Sequence, residues 1–261
     1  MIRGIRFVWK TITKSLVYFF FASGALFLIT AVFPPILLFV HPAERCGKAL
    51  RLSTHLTFKL MLAVTWAFGL IKIHIGKEDR RKLRTLKSAI VVANHPSLLD
   101  VTILMSILPQ ADCIVNAQLF ERPIVRHVVR RLFVPNSLDF SEILSACGQS
   151  HKDGNCLVIF PEGSRTKPGI EPVIKKGSAR ISLGTGYPVV PVRIGANDMR
   201  GLRKGDPFYR INEKGRYTYH LAVGDPLDPS VYMDDQIPVA AKRMTKDIYS
   251  SLFTRTSTPS A

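Results

Sequence analysis

Two short blocks of this chain carry residues able to do chemistry. The first reads A-N-H-P-S-L-L-D and contains Asn94, His95, Pro96, Ser97 and Asp100. Imidazole titrates nearest neutrality of the ordinary side chains, and a carboxylate five positions on can reach back to set its tautomer. His95 and Asp100 therefore form a candidate general base with its orienting partner, as in a nucleophilic triad whose activated hydroxyl belongs to the substrate. The same residues also fit a plain helix start, because Ser97-x-x-Asp100 is a variant of the capping box.

The second block is F-P-E-G-S-R, Phe160 to Arg165. Pro161 and Gly163 favour a tight loop in which the backbone can approach a ligand. Arg165 supplies a planar fork of donors suited to phosphate oxygens. Glu162 could accept from a substrate hydroxyl or hold the arginine, and Ser164 stands between them. The structural alternative is a Glu–Arg pair closing an ordinary turn, worth little if exposed.

Other chemistries lack their residues. Ser164-Arg-Thr-Lys167 matches S-x-x-K, but the S-D-N and K-T-G partners of that hydrolase class are absent, and so is a G-x-S-x-G elbow. Cys46, Cys113, Cys147 and Cys156 lie far apart, make no C-x-x-C pair and have no histidines spaced for zinc. They read as reduced thiols, which suits a domain facing the cytoplasm.

The elements that must position these blocks alternate strand and helix. Short β-branched runs occur at 89–93, 113–115, 156–160, 189–194 and 217–223, and helical patterns fit 97–108, 118–131, 141–152 and 176–185. Continuous apolar strands between helices predict an α/β fold, a buried sheet covered by helices. His95 and Glu162 each follow a strand, where ligands bind in such sheets. A last helix is expected over 237–253, followed by a short polar, disordered tail.

The first 70 residues differ in kind. Residues 15–43 hold no Asp, Glu, Lys or Arg, a stretch of 29, whereas about 20 apolar residues suffice to cross a bilayer. Pro34-Pro35 interrupts it, and a second apolar segment over 52–71 carries only Lys59 as a charge. Residues 1–70 are read as a membrane-embedded two-helix module, with a buried core helix as the alternative for the second segment. The apolar stretch is too long for a signal core of about 7–15 residues. Basic residues flank it on both sides, so its orientation stays open. The domain division expected is 1–70 for the anchor, 71–235 for the catalytic domain and 236–261 for the C-terminal helix and tail.

Lys and Arg outnumber Asp and Glu by 36 to 19, a net charge of +17. This charge implies anionic partners, whether lipid headgroups, phosphorylated substrates or nucleic acid. No nucleic-acid-binding motif is present, and the apolar N-terminus favours a membrane. The strip 72–87, with seven Lys/Arg against Glu78 and Asp79, is the stretch expected against anionic headgroups, or else a solvated face.

Taken together, the blocks resemble the glycerolipid acyltransferases of the lysophosphatidate acyltransferase type. N-H-P-S-L-L-D matches that family's N-H-x-x-x-x-D block and F-P-E-G-S-R its F-P-E-G-[ST]-R block, about 65 residues on. Lys175-Lys176-Gly177 stands where the family has a K-K-G segment opening a helix, and V-V-P-V-R-I matches its V-P-V-x-I strand. The resemblance spans about 100 residues. It implies His95 as general base, Asp100 as its partner, and Asn94, Glu162, Gly163, Ser164, Arg165 and Lys176 around the acceptor.

The implied reaction moves a fatty acyl group from an acyl carrier protein or coenzyme A thioester to the free hydroxyl of 1-acyl-glycerol-3-phosphate. No metal or cofactor is needed. The expected location is a bacterial inner membrane, with the catalytic domain on the cytoplasmic side. One block departs from the family pattern: V-V-R-R-L-F-V-P-N-S has Pro135-Asn136 where a basic residue is expected. Arg130 or Arg131 would then substitute, or the acceptor is a different lipid. A non-catalytic membrane-binding module is the alternative of another class.

Overall fold

The computed structural model describes residues 2–115, 133–135, 139–165, 169–207, 210, 212 and 215–254. The helix expected over 118–131, with Arg130 and Arg131, lies outside the described residues, as do tail residues 255–261.

Seven strands form one sheet: β1 Ile71–Ile75, β2 Ile90–Ala93, β3 Ala111–Val115, β4 Phe133–Pro135, β5 Cys156–Ile159, β6 Val189–Ala196 and β7 Tyr217–Val223, in the order β1-β7-β6-β2-β5-β3-β4. All neighbours are parallel except β6 and β7. The antiparallel join turns β1 and β7 against the other five. β2 and β5 are buried at every position, which is why they read as unbroken apolar runs without alternation.

Around the sheet stand α1 Ile2–Phe27, α2 Phe33–Phe39, α3 Ala43–Ala67, α4 Lys77–Thr85, α5 Asp100–Ile107, α6 Phe140–Lys152, α7 Gly177–Thr185 and α8 Ile237–Phe253. Successive β2 side chains point to opposite faces. Val91 and Ala93 join a core with Leu62 of α3, Leu83 of α4 and Ile103 of α5. Ile90 and Val92 join another with Cys147 of α6, Ile181 of α7 and Met244 and Ile248 of α8. The last helix is thus part of the layer that covers the sheet. All four cysteines are free and buried.

The N-terminal segment differs from expectation at the prolines. The backbone stays helical through a wider, π-type turn at Leu28–Val32, and Pro34 and Pro35 sit in the first turn of α2. Each proline lacks the N–H that would bond a carbonyl of the preceding turn, and the wider turn is where the helix accommodates that loss. The chain leaves the helix only at Val40, and α3 begins at Ala43. Residues Lys14–Phe39 make one helix long and apolar enough to cross a membrane by length and composition.

By contrast, α3 is anchored to the sheet. Arg51 donates to both carboxylate oxygens of Asp112 on β3, at 2.7 and 2.9 Å, and Ser150 of α6 donates to the same carboxylate. Its outward stripe is nonetheless apolar: Leu52, Leu56 and Leu60, four residues apart, are about half exposed, and Trp66 and Phe68 continue it.

The basic strip 72–87 becomes β1 and α4. Because β1 runs against β2, α4 starts at the end of the sheet opposite to the one where β2 and β5 finish. Asp79 accepts the N–H of Val223, the last residue of β7, at that far end. A headgroup contact through α4 would therefore be made away from His95.

Candidate active site

β2 and β5 are hydrogen-bonded neighbours, so the two chemistry-bearing blocks leave the sheet side by side at its carboxyl edge. After Ala93, the Asn94 side chain continues the pairing to β6. Its Nδ2 donates to the Ile194 carbonyl at 2.9 Å and its Oδ1 accepts the Ile194 N–H at 2.6 Å. Asn94 thus fixes where the loop leaves the sheet.

His95 is held on three sides. Its Nδ1 lies 2.8 Å from Asp100 Oδ2, its backbone N–H donates to Glu162 Oε1 at 2.8 Å, and its ring stacks on Phe160 at 4.3 Å. Asp100 is fully buried. It also accepts the Ser97 N–H at 2.7 Å on Oδ2 and the Ser97 hydroxyl at 2.7 Å on Oδ1. The turn contact and the His–Asp contact left open by the sequence therefore occur together, on one carboxylate. A carboxylate that accepts the Nδ1 proton assigns Nε2 the acceptor role.

A further residue joins this network without any local motif to mark it. The Tyr219 hydroxyl lies 2.7 Å from Ser97 Oγ. Since Ser97 donates its own proton to Asp100, Tyr219 is the donor to Ser97. Burial, with the Asp100 charge nearby, pushes the Tyr219 hydroxyl well above the usual phenol range, so it stays protonated. The only sequence signal was its inward phase on β7, between buried Tyr217 and Leu221.

His95 opens on a cavity of about 450 Å³. Its inner wall is apolar, including Ile114, Ile143 and Ile181, and Gly163, Ser164, Lys175 and Ser178 bring polar groups to it. Gly163 has φ of 69°, in the left-handed region that favours glycine. Its N–H is taken by the Phe160 carbonyl at 3.0 Å, closing the loop and removing that group as an oxyanion donor. The start of α7, where Gly177 and Ser178 line the cavity, offers first-turn N–H groups that a helix leaves without intrahelical partners.

The other expected site residues among those described, Glu162, Arg165 and Lys176, do not line this cavity. Arg165 donates to the Leu202 carbonyl at 3.1 Å. Lys175 and Lys176 are both exposed; Lys176 is the N-cap residue of α7, and Lys175 lines the cavity mouth with its Nζ near Gly163. The sequence showed the lysine pair but not which member borders the cavity. A second cavity of about 180 Å³ lies between α1, α3 and the loop after His95. It is walled mainly by apolar groups, Met61, Leu98, Leu99 and Leu202 among them, with Lys14 and Tyr18 from α1. Among the described residues no cluster of three or more His, Cys, Asp or Glu is placed to hold a metal.

Known proteins resemble this chain in sequence and in fold. Residues 74–195 match the family model described as Acyltransferase, which includes both blocks. The chain is 31% identical over 149 residues to a chloroplastic 1-acyl-sn-glycerol-3-phosphate acyltransferase of Brassica napus, covering 52% of this chain and 42% of that one. It is 30% identical over 148 residues to 1-acyl-sn-glycerol-3-phosphate acyltransferase beta of Homo sapiens, covering 52% and 53%. The chain thus spans about half the length of the curated relatives it matches. The crystal structure of the 1-acyl-sn-glycerophosphate acyltransferase PlsC from Thermotoga maritima superposes with a TM-score of 0.66 at 23% identity, over 94% of this chain and 100% of that one, which shows a shared fold. Both blocks thus lie within the residues that match the Acyltransferase model, in a chain whose similar proteins are 1-acyl-sn-glycerol-3-phosphate acyltransferases.

Proposed function

We propose that the protein transfers a fatty acyl group from a thioester of acyl carrier protein or coenzyme A to the free hydroxyl of 1-acyl-glycerol-3-phosphate, giving phosphatidate. The observation that carries this reading is the His95–Asp100 pair, 2.8 Å apart, facing a cavity that also holds Lys175 and the Gly163–Ser164 loop.

His95 Nε2 takes the proton of the acceptor hydroxyl as its oxygen attacks the thioester carbonyl. The buried Asp100 carboxylate balances the imidazolium that forms. The tetrahedral intermediate collapses by breaking the carbon–sulfur bond, and the imidazolium returns its proton to the departing thiolate. A positioned base typically contributes about 10²–10⁴-fold. First-turn N–H groups of α7 are the donors for the oxyanion. Lys175 and Arg165 neutralise the acceptor phosphate, and the apolar cavities take acyl chain.

The reaction runs at a membrane. The apolar helix over residues 14–39 and the outward stripe of α3 give residues 1–70 an apolar outer face, and the catalytic domain rests on it from the cytoplasmic side, in a bacterial inner membrane. The same chemistry on another lipid acceptor is the second reading, favoured by Pro135-Asn136 in place of a basic residue.

The test is acyl transfer by the purified full chain in mixed micelles. Both thioesters are offered with a panel of lyso-lipids, and products are read by mass spectrometry. Phosphatidate made by the wild type, and reduced about 10²–10⁴-fold in His95→Ala and Asp100→Asn, is the expected result. Product from another acceptor alone would select the second reading. Transfer that persists in His95→Ala would overturn the mechanism.

A further inference from the structure

The last charge before the apolar stretch does not reach solvent. Lys14, on α1, is 4% exposed. Its Nζ donates to the carbonyls of Gly201 at 3.1 Å and Arg210 at 2.5 Å, 187 and 196 positions away. A buried ammonium is tolerated when its donors are satisfied, and here the partners are backbone carbonyls of the segment that follows β6.

That segment is shaped to receive it. Gly201 has φ of 83°, and a Cβ there would lie 1.9 Å from the Arg210 carbonyl oxygen and 2.4 Å from Lys14 Nζ. Only glycine lets the ammonium sit between the two carbonyls. The Gly201 N–H is held by Asp206 at 2.7 Å, and the Arg200 carbonyl accepts from the Tyr217 hydroxyl at 2.7 Å.

The very next carbonyl serves the site. Leu202 O accepts the Leu98 N–H at 3.0 Å, from the loop between His95 and Asp100, and Arg165 Nη1 at 3.1 Å. Two consecutive peptide groups thus join the apolar helix to both chemistry-bearing loops. Tyr18, one turn along α1 from Lys14, lines the same cavity as Lys14 and Leu202.

We propose that Lys14 is a positioning residue for Arg165. By holding the Gly201 and Arg210 carbonyls from α1, it sets the Leu202 carbonyl on which the guanidinium is aimed, so acceptor-phosphate binding depends on how α1 is seated against the domain. This rests on the reading of Arg165 as a phosphate ligand.

The test uses the full chain in mixed micelles with lysophosphatidate and an acyl thioester. Lys14→Met keeps the apolar stem and removes the donors; Lys14→Arg keeps charge and donors. For Lys14→Met the expected result is an acceptor KM raised roughly tenfold, with thioester KM and kcat within about threefold, unchanged vesicle co-sedimentation, and substantial recovery in Lys14→Arg. In an Arg165→Ala background the Lys14→Met effect should vanish, because both act through one contact. An unchanged acceptor KM in Lys14→Met overturns the proposal. So does a uniform fall in kcat with a lowered active fraction, or full additivity with Arg165→Ala. A wild type that acylates no lyso-lipid would remove the functional reading itself, a result distinct from an active wild type indifferent to Lys14.

Discussion

Glu162 Oε1 accepts the backbone N–H of His95 at 2.8 Å, across 67 positions of sequence. The contact joins the two chemistry-bearing blocks directly, and it is possible because β2 and β5 pair in parallel and release their loops at the same edge. In this role Glu162 sets the height of the imidazole through its main chain. Glu162→Ala is expected to lower kcat by about 10²-fold, the scale of a displaced catalytic group, while Glu162→Gln, which keeps a carbonyl acceptor, retains most activity. Steady-state kinetics on the pair check this, and equal losses would argue that the negative charge matters more than the contact.

Ser97 stands between Asp100 and Tyr219, donating to Asp100 and accepting from Tyr219. Ser97→Ala leaves a buried hydroxyl and a buried carboxylate each short of a partner, which costs about 1–3 kcal/mol. Tyr219→Phe removes a donor and leaves the Ser97–Asp100 bond in place, so its loss should be smaller. Urea denaturation of both variants checks the order.

Lys175 lines the cavity and Lys176 does not. Lys175→Met should raise the acceptor KM roughly tenfold to a hundredfold, the scale of a lost charge-assisted hydrogen bond, and Lys176→Met should leave it within about twofold. The reverse order would reassign the pair.

Burial pushes the Tyr217 hydroxyl up to about 12. The unfolded chain ionises its tyrosines near pH 10, so between these values the unfolded state releases the proton first and binds fewer protons. Stability contributed by the neutral phenol is complete below pH 10 and is lost as pH rises toward 12. The urea midpoint should fall between pH 9.5 and about 11.5, and less steeply in Tyr217→Phe, which has no proton to lose there.

Much of this protein is legible in local sequence. The β-branched runs became strands, the β7 run and the last helix with the expected ends, because burial pattern and turn chemistry act over a few residues. His95 and Glu162 were recognisable for the same reason: each follows an apolar run and precedes a turn or helix. Residues 97–99 departed from the expected helix because Ser97 spends its N–H and hydroxyl on Asp100, so α5 starts at Asp100. The strip 72–87 was read by charge alone, which hid a short edge strand whose pairing partner, β7, comes 146 positions later in register.

What the sequence determined by itself was which reactive groups are present, an imidazole and a carboxylate in one block and a glycine loop followed by an arginine in the other, carried on an α/β sheet behind an apolar segment. Only the tertiary structure decided which groups meet. Parallel pairing of β2 with β5 brought Glu162 under His95, the reversed strand β7 delivered Tyr219 to Ser97, and the packing of α1 brought Lys14 to Gly201. Residue type and spacing specify what a side chain can do, but contacts between distant segments depend on strand order and direction, which no local pattern encodes.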